Sequence, residues 1–412
     1  MTNLKTGLLA IALTTVAAGA MAEVLPVSTR VAKENAGLGV RVGSFLVTPK
    51  ADVEETYNDN VYSTTRNEKS DFITTVRPEV TARSNWSRHA LNALARAEVN
   101  KYADNSSESN NNFVAAVDGR ADVMKETSIG GGLSFVRDHE DRGNPNSIGA
   151  GVEPTQVDTR TAKLGAYRGL GRFNVRVDGE AKNIDHKNGY TSTGAAVNNS
   201  LRDRNEYGTA ARVGYKATDI TEVFVKADMD SRVYDRKGGT TTNRSNHGKS
   251  AVIGANVEMT GKTKAEVFVG QAKRNYVDAA LKDISELTYG AKLIWNATDL
   301  TSIIGNITRG IEETTIGASS GYVNTSYDLG VEHAVMRNAV LNASLGLANN
   351  DYKGTAANQR NDDVLKAEVG GKYYFNRNLA AGLGYMFTDR SSNVANGDYS
   401  RNTVMVRLTG TY

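Results

Sequence analysis

Apolar and polar residues alternate one by one along most of this chain, which is the period of a strand and not of a helix. From residue 403 to 412 the chain reads TVMVRLTGTY, with Val404, Val406, Leu408, Gly410 and Tyr412 on one side. Thr403, Met405, Arg407, Thr409 and Thr411 fall on the other. Phe173, Val175, Val177, Gly179 and Ala181 alternate in the same way with Asn174, Arg176, Asp178, Glu180 and Lys182. Residues 113–124, 339–347 and 379–388 repeat the rhythm. Each segment has an apolar face and a polar or small one, over the roughly ten residues a tilted strand needs to cross a bilayer. No convincing 3.6-residue period follows Ala22.

The punctuation between these segments is asymmetric. Short turns recur at Trp86-Ser87, Lys125-Glu126, Leu170-Gly171, Thr218-Asp219, Thr260-Gly261, Thr298-Asp299, Met336-Arg337 and Asn376-Arg377. Between them lie longer polar stretches, the longest at residues 187–203 and the next at 141–154. Only two strands fit between successive short turns, whereas a propeller blade needs four. The predicted fold is therefore all-β: a transmembrane, antiparallel, up-and-down β-barrel of about eighteen strands, with sixteen as the lower count. An even count places both termini on the short-turn rim, the periplasmic one. Both long stretches read as ordinary surface loops, and neither looks long enough to fold inward as a constriction.

The amino terminus fits that destination. Lys5, the apolar run 7–18 and the small residues Ala20 and Ala22 predict a cleaved signal peptide over 1–22. Residues 23–43 form an amino-terminal periplasmic segment, either a tail or a plug, before a barrel over 44–412. The terminal strand resembles the closing strand of bacterial outer-membrane barrels, which makes Val404, Val406, Leu408 and Tyr412 its candidate assembly signal. A mean hydropathy of −0.43 excludes a bundle of transmembrane helices. Cysteine is absent, so in an oxidising compartment a closed hydrogen-bonded sheet must replace disulfides. A formal charge of +3 gives no argument for nucleic acid.

With the apolar stripe facing lipid, the polar stripe lines a lumen. Its candidates are Arg77, Glu79, Arg83, Arg96, Glu98, Asp118, Arg120, Asp122, Arg176, Asp178, Glu180, Lys226, Asp228, Asp230, Arg232, Lys366, Glu368 and Lys372. Interleaved charges of both signs can hold a transverse field in a pore, or can simply neutralise one another across paired strands. Tyr102, Tyr207, Tyr215, Tyr289, Trp295, Tyr322, Tyr327, Tyr373 and Tyr385 are candidates for interfacial girdles. No run of inward aromatic residues suggests a sugar slide. Enzymatic signals are weak: the five histidines lack metal-ligand spacing, and Asp138-His139-Glu140-Asp141 is the only local acid–histidine cluster. The oxygen ligands Glu54, Glu55, Asn58, Asp59 and Asn60 lack a calcium-loop spacing. Neither cofactor nor metal is expected.

Residues 38–62 read LGVRVGSFLVTPKADVEETYNDNVY, followed by KSDFITTVRPEV and SNWSRHAL. This order, from the GVRVGSF entry through YNDNVY to SDFI, resembles the outer-membrane family called putative β-barrel porin 2. The likeness extends over nearly the whole mature chain and is most specific over 40–90. It implies an outer-membrane barrel, and an association with exopolysaccharide production for some members; it carries no site motif. The expected function is a passive channel for small hydrophilic solutes or a channel associated with exopolysaccharide export. Two alternatives stand beside it: a non-conducting barrel acting as scaffold, adhesin or assembly partner through its loops, and a soluble secreted all-β protein. Expected partners are outer-membrane lipid and lipopolysaccharide, the barrel assembly machinery and an exopolysaccharide apparatus. The sequence sets no oligomeric state.

Overall fold

The computed structural model describes residues 24–147, 151–235, 242–259, 261–317, 319–355 and 359–412. The leader over 1–22, with Ala20 and Ala22, lies outside them. Eighteen long strands account for most of the chain. In order they are β1 Phe45–Asn58, β2 Asp71–Ser84, β3 Ala90–Tyr102, β4 Asn110–Met124, β5 Thr127–His139 and β6 Gln156–Leu170. Then come β7 Phe173–His186, β8 Arg204–Lys216, β9 Thr221–Tyr234, β10 Asn246–Met259, β11 Thr263–Tyr276 and β12 Ile284–Thr298. The last are β13 Thr301–Glu313, β14 Ser319–Met336, β15 Ala339–Gly354, β16 Asn361–Tyr374, β17 Leu379–Ser392 and β18 Tyr399–Thr411.

Each strand pairs antiparallel with the next, and β1 pairs with β18 from Lys50↔Thr411 to Asn58↔Thr403. The sheet therefore closes, as it must where no water can satisfy a free edge. The terminal strand read from the sequence is this seam. Beyond it, a short strand Val40–Val42 folds back on Phe45–Val47, and Gly39 N–H donates to the Tyr412 carbonyl at 3.0 Å. Glu126, Gly171 and Gly261, with φ of 56°, 66° and 67°, turn three of the short connections through the left-handed region. In the β2–β3 ladder the pairing passes from Val76↔Val99 to Glu79↔Arg96, skipping Pro78, which has no N–H to donate.

The pleat sorts the side chains as the alternation demands. Leu133, Leu164, Met229 and Leu383 are all 60% exposed or more, whereas Asp52, Asp71, Asn246 and Ser302 on the opposite faces are at most 2% exposed. The exposed face is the apolar one, and the polar face is turned into the barrel. Tyr207, Tyr215, Tyr289, Trp295, Tyr327, Tyr373 and Tyr385 share the register of the exposed apolar residues. Tyr102 and Tyr322 do not. They point inward, and Tyr322 stacks on Tyr352 at 5.0 Å, so the girdle expectation is corrected for these two. The same pleat sends Tyr234, Tyr276 and Tyr399 inward near the loop end, where the sequence suggested no inward aromatics.

The segment before the barrel also lies inside it. Helix α1 (Val27–Glu34) turns Val27 and Val31 onto a buried cluster of Ala334, Val340, Tyr374 and Ala380. These four alternate with outward residues such as Leu341 and Tyr373, so they belong to the inner wall. They lie beside the short turns of β14–β15 and β16–β17.

Candidate functional site: the lumen and its loop-end constriction

The inner wall is built from charge ladders. Arg77 donates to Glu98 at 2.6 Å and reaches Glu54 at 3.7 Å, and Glu54 also meets Arg407 across the β1–β18 seam. Arg96 Nε donates to Glu79 at 2.6 Å. Asn92 donates to Asp118 at 2.9 Å, and Arg120 pairs with Asp122 at 3.0 Å. Arg176 pairs with Asp178 at 2.7 Å, and Glu180 receives both Lys163 and Lys182 at 3.1 Å. Lys226 pairs with Asp228 at 2.6 Å and Arg274 with Asp230 at 2.9 Å. Arg232 reaches past β10, β11 and β12 to Glu313 at 2.7 Å. Lys372 lies over the Tyr374 ring at 4.8 Å. Arg83, Lys366 and Glu368 lie on the same inner face of β2 and β16.

All eighteen residues singled out from the sequence thus fall on one continuous inward face, nine cationic and nine acidic. Most find their opposite charge on a neighbouring strand or two residues away on their own, the spacing the pleat brings together. The sequence reading missed others on that face: Lys50, Asp52, Glu54, Arg204, Glu206, Arg274 and Arg407. Their signal was available, because each alternates with an apolar residue or lies in step with a named one.

The larger omission concerns the loops. The described residues of the connection from β5 to β6 (L3, residues 140–147 and 151–155) do not stand up into solvent; they fold across the mouth. Asp141 accepts the Gly143 N–H at 2.7 Å and Asn144 accepts that of Asn146 at 3.0 Å, two Asx turns flanking Pro145 that bend the loop inward. Its first half then lands on β17 and β18, six strands away around the wall. Arg390 Nη1 donates to the Gly143 carbonyl at 2.5 Å, and Arg401 pairs with Asp141 at 3.3 Å. Gly143 is needed there, since an added Cβ would sit 2.8 Å from Tyr399 Oη. Asn146 reaches the β13–β14 connection (L7, residues 314–318), accepting from Thr314 Oγ1 at 2.7 Å and from Thr315 N–H at 3.0 Å.

Two buried ion pairs hold L3 to its neighbouring loops. Arg142 grips Glu108 of the β3–β4 connection (L2, residues 103–109) with both carboxylate oxygens engaged, at 2.6 and 2.9 Å. Its remaining N–H groups donate to the carbonyls of Gly151 and Val152, both at 2.9 Å. Glu140 receives both terminal nitrogens of Arg202 from the β7–β8 connection (L4, residues 187–203). Guanidinium–tyrosine stacks add to the frame, with Arg390 4.5 Å from the Tyr399 ring centre and Arg204 5.7 Å from that of Tyr234. Below this lid, between L3, L4, L7, the inner wall of β5 to β9 and the end of β13, lies a cavity of about 520 Å³. Lys163, Lys182, Arg204, Arg232, Glu206 and Glu312 face it, so the cavity is bounded by groups of both signs.

The remaining sequence clusters come apart. In the stretch 138–141, His139 Nδ1 meets Asn112 at 2.8 Å, while Glu140 and Asp141 are committed to Arg202 and Arg401. In the 54–60 stretch, Glu54 points inward to Arg407, Glu55 outward to Thr74, and Asp59 accepts from Asn402. Among the described residues no group of three or more histidine or acidic side chains could hold a metal ion.

Comparison with known proteins finds one family and several solved structures. The family described as putative beta-barrel porin 2 matches residues 35–412. Among solved structures the chain is similar to the Pseudomonas aeruginosa outer membrane protein OpdK, with 9% identity, 89% of this chain and 99% of that one covered, and a TM-score of 0.47. It is likewise similar to OccK9 (OpdG) of Pseudomonas aeruginosa, with 12% identity, 89% and 98% coverage and a TM-score of 0.48. No curated protein matches the chain.

Proposed function

The chain belongs to the putative β-barrel porin 2 family, outer-membrane barrels of the porin kind, and from that premise we propose that it is a passive aqueous channel for small hydrophilic solutes. The observation that carries this reading is the wall itself. An eighteen-strand barrel is too wide for its own side chains to fill, and its inward face is a ladder of solvated charges and not an apolar core. Such a wall replaces the lipid barrier with a wet, polarised passage and needs no cofactor. The nine-to-nine balance among the named wall charges argues for weak ion preference.

The loop-end lid supports small solutes as the cargo. L3, braced by two buried ion pairs, leaves a cavity of metabolite size and not a polymer-wide bore. Export of an exopolysaccharide would require the lid to leave, and its support is the family resemblance alone. In this reading both termini and the short turns face the periplasm, lipopolysaccharide surrounds the loop-end rim, and Val404, Val406, Leu408 and Tyr412 present the closing strand to the assembly machinery.

Purified protein refolded into planar bilayers tests the proposal. Stepwise conductance with nearly equal cation and anion permeability is the expected result. A folded barrel that never conducts would overturn it in favour of a scaffold or adhesin.

A further inference from the structure

Helix α1 is too short and too poorly made to persist on its own. It has eight residues, two of them valine and one threonine; its N-cap is Pro26, which makes no side-chain cap, and its first turn holds no acidic residue. The barrel supplies what the helix lacks. Ser302 Oγ of β13 accepts the Val27 N–H at 2.8 Å. Glu332 of β14 accepts the Ser28 N–H with one oxygen and the Ser28 hydroxyl with the other, both at 2.8 Å. A carboxylate thus sits where the amino-terminal dipole of a helix calls for one, but from the wall and not from the helix's own sequence. Asn35 closes the other end by donating to the Arg337 carbonyl at 3.3 Å.

The consequence is a coupled equilibrium. Undocked, the segment loses its cap, its first hydrogen bonds and the burial of Val27 and Val31 together, and so ceases to be a helix. Docked, it occupies part of the short-turn mouth. We infer that the α1 segment is a built-in gate of the channel, folding onto the β13–β17 inner wall to narrow the short-turn mouth and unfolding to widen it. This rests on the channel reading above and adds the element that regulates it. The size of the effect follows from geometry. Eighteen strands about 4.8 Å apart, tilted by about 40°, make a barrel roughly 36 Å across its backbone. Side chains reduce that to a lumen of about 25 Å, and a helix about 11 Å thick takes close to a fifth of its section.

Single-channel recording tests this on three variants. Glu332→Ala removes the borrowed cap. Deletion of residues 24–36 removes the gate. Val27→Cys with Ser302→Cys places two thiols at the Val27–Ser302 contact in a chain that otherwise has no cysteine. The expected wild-type record switches between two levels differing by up to roughly 1.2-fold, the bound set by the helix cross-section, since the loop-end lid adds resistance in series. Glu332→Ala spends most of its time at the upper level and the deletion all of it. The oxidised cysteine pair stays at the lower level until a reductant restores switching. Conductance that is the same in all three variants and in wild type, with or without reductant, overturns the gate while leaving the channel intact. Absence of conductance in every protein, the deletion included, overturns the channel reading and the gate with it.

Discussion

Replacing Arg142 by alanine separates a lid that is built in from one that merely rests on the mouth. The guanidinium makes four hydrogen bonds, two to Glu108 and two to carbonyls of its own loop, and is 10% exposed against 3% for its partner. Removing one member of a buried pair leaves the other charge unpaired, at a cost of about 3–5 kcal/mol. The other contacts of L3 divide into one pair of the same class, Glu140–Arg202, and several weaker ones. Asp141–Arg401 is half exposed on the acidic side and contributes up to about 1 kcal/mol, and each neutral bond from Asn146 about 0.5–1.5 kcal/mol. Arg142→Ala therefore removes a large share of what holds the loop, and shifts its docked-to-undocked ratio by about a hundredfold to a thousandfold or more.

A single cysteine at Ser147, in a chain with none, reports that ratio through its reaction with an impermeant maleimide. In the Arg142→Ala background labelling accelerates by a comparable factor until it saturates, and the channel gains conductance and loses steadiness. The barrel itself, closed by backbone ladder bonds that do not involve L3, keeps its heat resistance. Adding Glu108→Gln recovers part of the docked population, because an unpaired buried amide costs less than an unpaired carboxylate. Equal labelling rates and equal conductance in wild type and Arg142→Ala refute the argument. So does a Glu108→Gln effect that adds to the first change and does not relieve it.

Leu164→Lys places a charge on the exposed apolar face and destabilises the folded barrel by about 2–4 kcal/mol in a urea titration if that position lies near the bilayer midplane; Thr161→Lys, inward on the same strand, changes conductance with little effect on stability. Deleting Tyr412 removes the residue whose N–H donates to the Pro49 carbonyl and whose own carbonyl accepts from Gly39, so heat-resistant barrel should fall sharply in cell envelopes. The Asp278 carboxyl, outside the strands, is held below the ordinary carboxylate range by the N–H groups of Ala280 and Asn243. Its folded value is depressed, so the contact is fully present above the ordinary carboxylate pKa and is lost as pH falls through the depressed value; the protection of the Asn243 and Ala280 amides, taken relative to their intrinsic exchange at each pH, should drop only on that acid side.

How much of this the sequence carried follows from the range of each interaction. Strand alternation is local and obligatory, since one face meets lipid and the other water, and it located every strand and the inward face of all eighteen named charges. The seam was legible for the same reason: Val404, Val406 and Leu408 share a face whatever they pair with. What the alternation could not show is contact across the lumen. Tyr102 and Tyr322 occur in strands like the girdle tyrosines and differ only in parity. A residue-type argument placed them outward; counting from Val99 or Tyr327 would have placed them inward.

L3 was misread because nothing within residues 140–155 is unusual for a surface loop; Asn, Gly and Asp belong to either. Its conformation is fixed by groups remote in the chain, with Glu108, Arg202, Thr314, Arg390 and Arg401 each contributing one contact. Its only local trace is the run of charges Glu140, Asp141 and Arg142, which a solvated loop carries as readily. Helix α1 presents the same problem in reverse. Its residues are poor helix formers with no cap of their own, so the sequence could not choose between a tail and a plug. The cap lies on Glu332, about three hundred residues away. In both cases the deciding groups lie far off in the chain, where no local periodicity reaches. The elements most exposed to this error are therefore the two that govern the passage.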